Sequence, residues 1–143
     1  DNLWTRLASL LSTDRDTLTK QAKDLRLANK HLHYLFGILR DDISISTDMA
    51  ANALRVALYK YGLDIVRGRL YLSATPDAGE QLRAVLEQAA QMDIPTLPIG
   101  GKDLMDRGYA EGRALGDALK QLEQTWIDSD FTLGRDELLA KAG

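Results

Sequence analysis

No stretch of this chain alternates apolar and polar residues for long enough to make a convincing strand, whereas apolar residues recur at a helical period from end to end. That pattern confines the fold to packed helices. Only 3 prolines interrupt it, Pro76, Pro95 and Pro98, and each falls where a helix can break. A short helix is expected over 2–11, with Leu3, Leu7, Leu10 and Leu11 on one side and Trp4 beside them. Ser12, Thr13 and Asp14 supply capping groups for a long helix over 15–39. Its residues Leu18, Ala22, Leu25, Leu32, Leu35, Phe36 and Leu39 keep the helical period. Thr47 and Asp48 cap a helix over 49–61, which Gly62 ends, and another covers 63–73. Pro76, in a first-turn position, opens a helix that runs to about residue 92.

The segment Asp93-Ile-Pro-Thr-Leu-Pro-Ile-Gly-Gly101 reads as extended, and it divides the chain into helical regions over 1–93 and 94–143. Helices follow over 102–107, over 112–127 with Leu115, Ala118, Leu119, Leu122 and Trp126 on one face, and over 135–142. The expected fold is therefore all-α, an array of about seven or eight helices with no significant sheet.

At 143 residues the chain suits one domain of ordinary size, or two small lobes. It has no cysteine, which excludes disulfides, thiolate zinc sites, Fe–S clusters and thiol catalysis. No apolar run approaches the roughly 20 residues of a spanning helix, and no signal-peptide pattern opens the chain. A soluble, cytoplasmic protein without a membrane partner is expected. The first residue is Asp1 rather than Met, as in a processed chain or a piece of a longer one. The net charge of −3 averages over an uneven distribution. Residues 1–75 carry 11 basic and 8 acidic side chains, and residues 76–143 carry 7 and 13. Binding responds to such local fields, not to the sum.

Catalytic constellations fail one by one. His31 and His33, two apart on one helix, point in different directions and do not share a metal. Asp14-Arg15-Asp16 sits at a helix start with no preceding strand, so capping explains it better than metal binding. Asp41-Asp42 reads as a solvated loop. Counted from Asp128, an EF-hand would need Gly at its sixth position and Glu at its twelfth, which are Leu133 and Leu139 here. No nucleophile elbow, Walker loop or dinucleotide fingerprint occurs. No catalytic residue and no metal ligand is assigned.

Binding features are more promising. On a continuous second helix, Lys20, Lys23, Arg26 and Lys30 would fall within one arc of about 120°, opposite the apolar set. Tyr34 would lie one turn beyond Lys30, placing an aromatic ring beside the cations. Such a face suits phosphate-backbone contact with stacking, and a merely solvated lysine face fits the spacing equally. Arg55, Lys60, Arg67 and Arg69 form a second basic group. Gly68, inside the helix over 63–73, marks close helix packing or the approach of a ligand. Gly100 and Gly101 would present amides at a helix start with Lys102 adjacent, which attracts an anion such as phosphate. An αα-corner in which Asp103 stabilises that helix start is the alternative.

One ordered series of motifs is similar to a known family. It comprises Ile94-Pro-Thr-Leu-Pro-Ile-Gly-Gly-Lys-Asp-Leu104, Arg107-Gly108, Leu115-Gly116 and Leu122-Glu-Gln-Thr-Trp-Ile-Asp-Ser-Asp-Phe131. The series resembles the C-terminal body and tail of bacterial class II tRNA nucleotidyltransferases, the CCA-adding enzymes and their poly(A) polymerase relatives. Leu54-Arg-Val-Ala-Leu-Tyr-Lys-Tyr-Gly62 looks like an earlier segment of the same region. The likeness covers roughly residues 25–140 and is densest over 94–139. Where the family often has a Pro-Gly-Pro turn, this chain reads Ala110-Glu111-Gly112-Arg113.

The resemblance implies a tRNA partner, held at the acceptor/T-arm side by Lys20, Lys23, Arg26 and Lys30, with help from Lys102, Arg107 and Arg113. It also implies a catalytic N-terminal half, with a head that would carry the metal-binding carboxylates and magnesium ions and a neck that would select CTP and ATP. The Gly-Gly-x-Val-Arg-Asp and Glu-Asp-x-x-Arg segments of head and neck do not occur in this sequence. The chain by itself is accordingly expected to be inactive and to hold no cofactor. A helical protein-interaction or scaffold domain without an RNA role is the competing reading, and a homodimer stays open.

Overall fold

A computed structural model describes residues 3–11, 13–40, 42 and 44–142. Asn2, Ser12 and Asp41, which figure in the expectations above, lie outside these residues. The described residues form nine α-helices and no strand, so the fold is all-α. They fall into two compact units, Asp1–Ile94 and Pro95–Gly143. The first holds α1 (Leu3–Ala8), α2 (Arg15–Asp24), α3 (Asn29–Ile38), α4 (Ala51–Tyr61), α5 (Leu63–Ser73) and α6 (Gly79–Gln91). The second holds α7 (Gly101–Met105), α8 (Arg113–Asp128) and α9 (Arg135–Ala140).

The ninth helix arises because the long helix expected over 15–39 is two helices. Asp14 caps the first of them, its carboxylate accepting the Thr17 N–H at 2.8 Å. At the other end Leu27 N–H donates to the Ala22 carbonyl and Arg26 N–H to the Lys23 carbonyl, both at 2.9 Å. These two bonds make a Schellman closure, with Arg26 in the left-handed position at φ +52°. Glycine usually holds that position, because a side chain there costs about 1–2 kcal/mol. No proline or glycine marks the break in the sequence. Tertiary packing makes it, burying Leu18 and Ala22 of α2 and Leu35 and Ile38 of α3 while Leu25 stays 51% exposed.

Other boundaries shift for local reasons. Gly62 ends α4 and begins α5 at φ +78°, as its position suggested. Pro76 does not open a helix: Ala78 N–H bonds to the Thr75 carbonyl at 3.0 Å, closing a turn, and α6 starts at Gly79. The helix expected from residue 49 starts at Ala51, and the Asp48 carboxylate accepts the Ser46 hydroxyl instead of capping it. In α1 the inward residues are Thr5 and Ala8, whereas Leu3 is 70% exposed and Leu10, just beyond the helix, 80%. Of the expected leucine face, Leu7 and Leu11 are half-buried, Leu11 against the core, while Leu3 and Leu10 face outward.

The first unit is organised by the contact of α3 with α5. A Cβ added to Gly68 would lie 2.5 Å from Ile38 Cγ2 and 2.6 Å from the Tyr34 hydroxyl, and one added to Gly37 would collide with Ile65. Each helix thus presents a glycine to bulky side chains of the other. The Tyr34 hydroxyl also reaches Thr5 Oγ1 at 3.1 Å, and this bond ties α1 to the pair. Leu35, Ile38 and Leu39 join Ala8 and Leu18 in one apolar cluster. Leu54, Leu58, Val66, Leu70 and Val85 anchor a second cluster among α4, α5 and α6.

In the second unit Trp126 of α8 is 2% exposed and meets Phe131 edge to face at 4.9 Å. Ile99, Leu104, Leu122, Leu138 and Leu139 are also buried. Left-handed residues close both longer turns, Gly108 at φ +96° after α7 and Asp130 at φ +55° after α8.

Gly68→Ala is expected to lower stability by about 1–2 kcal/mol, because the clash outweighs the gain in helix propensity. Arg26→Gly should raise it by about 1 kcal/mol by relieving the left-handed residue. Urea midpoints measure both, and an unchanged or raised midpoint for the alanine variant would contradict the close α3–α5 contact.

Candidate nucleic-acid interface

The basic stripe read from the sequence is not an arc on one helix. Lys20 and Lys23, three apart, share a face of α2; Arg26 occupies the left-handed turn; Lys30 stands in the first turn of α3. All four side chains are exposed, and none makes a hydrogen bond or ion pair with another described residue. The cations therefore line a helix corner, in an order set by the Schellman turn.

Tyr34 is not part of that face. It is half-buried, bonded to Thr5 and pressed against Gly68, so it packs α3 against α1 and α5. A ring contact does occur nearby, where Trp4 stacks on His31 with centroids 3.8 Å apart and planes inclined at 21°. In the second basic group, Arg69 donates to the Ile38 carbonyl at 3.0 Å, satisfying the C-terminal end of α3. Helix packing accounts for Gly68.

The glycine-rich start of α7 is filled from within. The Gly100 N–H donates at 2.8 Å to Asp103 Oδ2, and the other carboxylate oxygen accepts Arg135 Nη2 at 2.6 Å. The Asp103 carboxylate thus stands where the sequence suggested a phosphate. Gly134 and Glu137 repeat the backward cap at the start of α9, again at 2.8 Å. The Arg135 and Gly100 donors hold the Asp103 carboxyl below its ordinary value, and Asp103 raises the Arg135 guanidinium. A Cβ on Gly101 would meet only Leu115, at an ordinary 3.6 Å. Arg107 donates to the Leu139 carbonyl at 2.8 Å, and the Tyr109 hydroxyl bonds to the Ala142 carbonyl, so both hold the end of α9. Lys102 is exposed, and Arg113 is 95% exposed with Asp117 at 3.7 Å, a pair of little energetic weight.

Of the ten residues read as contacts, Lys20, Lys23, Arg26, Lys30, Lys102 and Arg113 present exposed charge, Tyr34, Gly100 and Arg107 are engaged within the fold, and Gly101 is the half-buried first residue of α7. Sequence reasoning missed Arg135, whose tie to Asp103 spans 32 residues. It left no local signal, because only the fold brings the two together. The unit boundary also changes the electrostatics. The first unit carries 12 basic and 12 acidic side chains, and the second 6 and 9. The basic half read over 1–75 is therefore no structural body; what remains is the local corner.

Among the described residues no three His, Asp or Glu side chains gather as metal ligands, and no helix is long and apolar enough to cross a membrane.

No family model matches the chain. A stretch of 56 residues, 39% of the chain, is 34% identical to CCA tRNA nucleotidyltransferase 1, mitochondrial, of Danio rerio. The Homo sapiens protein of that name matches at 34% identity and the Mus musculus protein at 32%. The match spans 13% of the length of each of these relatives. The chain is similar, over that stretch, to CCA tRNA nucleotidyltransferases.

Asp103 allows a pH test. Its lowered carboxyl contributes stability that is fully present above the ordinary carboxylate range and is lost as pH falls through the folded-state value. Wild type should therefore exceed Asp103→Asn in thermal stability at neutral pH, and the gap should close on acidification. A gap that stays constant down to pH 3 would exclude the Arg135 and Gly100 contacts as its cause.

Proposed function

We propose that this chain is a tRNA-binding helical part of a tRNA CCA-end nucleotidyltransferase, corresponding to the family's C-terminal body and tail. The 56-residue likeness to CCA tRNA nucleotidyltransferases is the observation that carries the reading. The exposed cations of the α2–α3 corner support it, because Lys20, Lys23, Arg26 and Lys30 meet no competing partner among the described residues. Contacts of this kind position a nucleic-acid backbone without reading its bases. Catalysis, with magnesium ions and CTP or ATP, belongs in this reading to a head outside this sequence. Whether the parent adds CCA, A only or poly(A) is set, in this reading, by selecting residues of a neck outside this sequence. Lys102 and Arg113 are auxiliary contacts. The proposal keeps a cytoplasmic location, although the matched relatives are named as mitochondrial.

A second reading, a helical protein-interaction domain that includes a homodimer, draws support from the 70% and 80% exposure of Leu3 and Leu10.

Titration of tRNA against the chain at several salt concentrations separates the two. Binding that fades with salt is expected, with a log–log slope of roughly 0.7–0.9 per phosphate contact. Changing Lys20, Lys23, Arg26 and Lys30 together to Gln should flatten that slope by about 3. Undetectable affinity at low salt, or a slope unchanged in the quadruple variant, removes the corner from the interface. Concentration-dependent self-association without tRNA binding would favour the second reading.

A further inference from the structure

The groove between α2 and α3 has a chemistry that the tRNA reading does not use. It encloses about 520 Å³, within the ordinary size range of small-molecule sites. Arg15, His33 and Arg40 line it together, and no acidic side chain does so among the described residues. We propose that this groove binds a small phosphate ester with a flat apolar substituent, a class that includes mononucleotides. The proposal does not rest on tRNA binding by the corner residues.

Two features of the groove favour this ligand over a bare anion. First, both guanidinium groups are held before any ligand arrives. Arg15 lies over the Phe36 ring at 4.9 Å from its centroid, which fixes the long side chain against the wall. Arg40 donates from Nε to Asp42 Oδ1 at 2.8 Å and from Nη2 to Oδ2, and its ring contact with Tyr61 is at 5.8 Å. Its Nη1 makes no hydrogen bond to a described residue, so that edge is available to a phosphate oxygen. Planar guanidinium forks match phosphate oxygens in pairs, and fixing them beforehand reduces the ordering cost of binding. Second, the volume far exceeds what one phosphate fills, and beside Thr13 and Gly37 the remaining lining is apolar, with the half-buried Phe36 ring backed by the buried Leu18 and Leu39. A flat substituent laid along that wall removes apolar surface from water while its phosphate meets the cations.

Asp42 is the chief opposing charge near Arg40, and the hydrogen bond from Arg40 holds its carboxyl low. It does not line the groove, so it orients Arg40 without occupying the ligand's place.

Phenyl phosphate, inorganic phosphate and phenol, titrated in turn against the intact chain, test the inference, with calorimetry for affinity and the His33 imidazole resonances for location. Phenyl phosphate is expected to bind at least about fivefold more tightly than inorganic phosphate, the equivalent of one modest stacking contact. Arg15→Gln and Arg40→Gln should each weaken it about tenfold, while Lys120→Gln in the second unit leaves it unchanged. In the wild-type chain the His33 resonances should move with the same saturation curve, a readout that needs no variant to fold. Saturation without movement at His33 overturns the site. Equal affinity for inorganic phosphate overturns the apolar half of the ligand, and phenol binding as tightly as phenyl phosphate overturns the cationic half.

Discussion

The approach of α3 to α5 through paired glycines is the constraint on which the first unit depends. Gly37 faces Ile65, and Gly68 faces Ile38 and Tyr34, so the two helices interlock where a methyl group on either backbone would force the facing side chains to shift. The contact recruits its surroundings. Tyr34 extends past Gly68 to bond Thr5 and so brings α1 onto the pair, and Arg69 crosses to the Ile38 carbonyl that ends α3. Both bonds give part-buried polar groups a partner across the helix contact. With α3 committed to α5, α2 can bury Leu18 and Ala22 only if the chain turns between them, at the price of a left-handed Arg26.

Charge is used inside this fold more than its composition suggests. Arg69 and Arg107 satisfy carbonyls at helix ends, Arg135 serves Asp103, and Arg40 serves Asp42. Asp103 in turn satisfies the Gly100 amide, so α7 begins with its anion already in place. A basic residue count is therefore a poor guide to binding surface. Among the described residues the side chains of Lys20, Lys23, Arg26 and Lys30 make no such hydrogen bond or ion pair, and they stand outward at the α2–α3 corner.

Much of this was legible in the residues. Gly62 closes a helix because it tolerates φ +78°, Asp14 caps because its short carboxylate reaches the Thr17 amide, and α5 spans Leu63–Ser73 as periodicity requires. Trp126 and Leu122 are buried, as the pattern over 112–127 expects. The candidate site was legible only in part. The stripe was drawn on a helix that does not continue, because nothing local separates Asp24 from Asn29. Tyr34 was placed by spacing on a polar face, yet the absent side chain at Gly68, 34 residues away, makes room for its hydroxyl.

The sequence by itself determined that this protein is all-helical, with most helix positions readable within a few residues. Period, caps and breakers act over one or two turns, and that range is contained in the chain's own local order. Only the tertiary structure decided that 15–39 is two helices, that the Gly100 amide is already occupied, and which cations remain outward. Those outcomes depend on what lies against each side chain, between residues as far apart as Asp103 and Arg135. Contacts at that separation are fixed by packing and charge in space, which no window along the sequence contains.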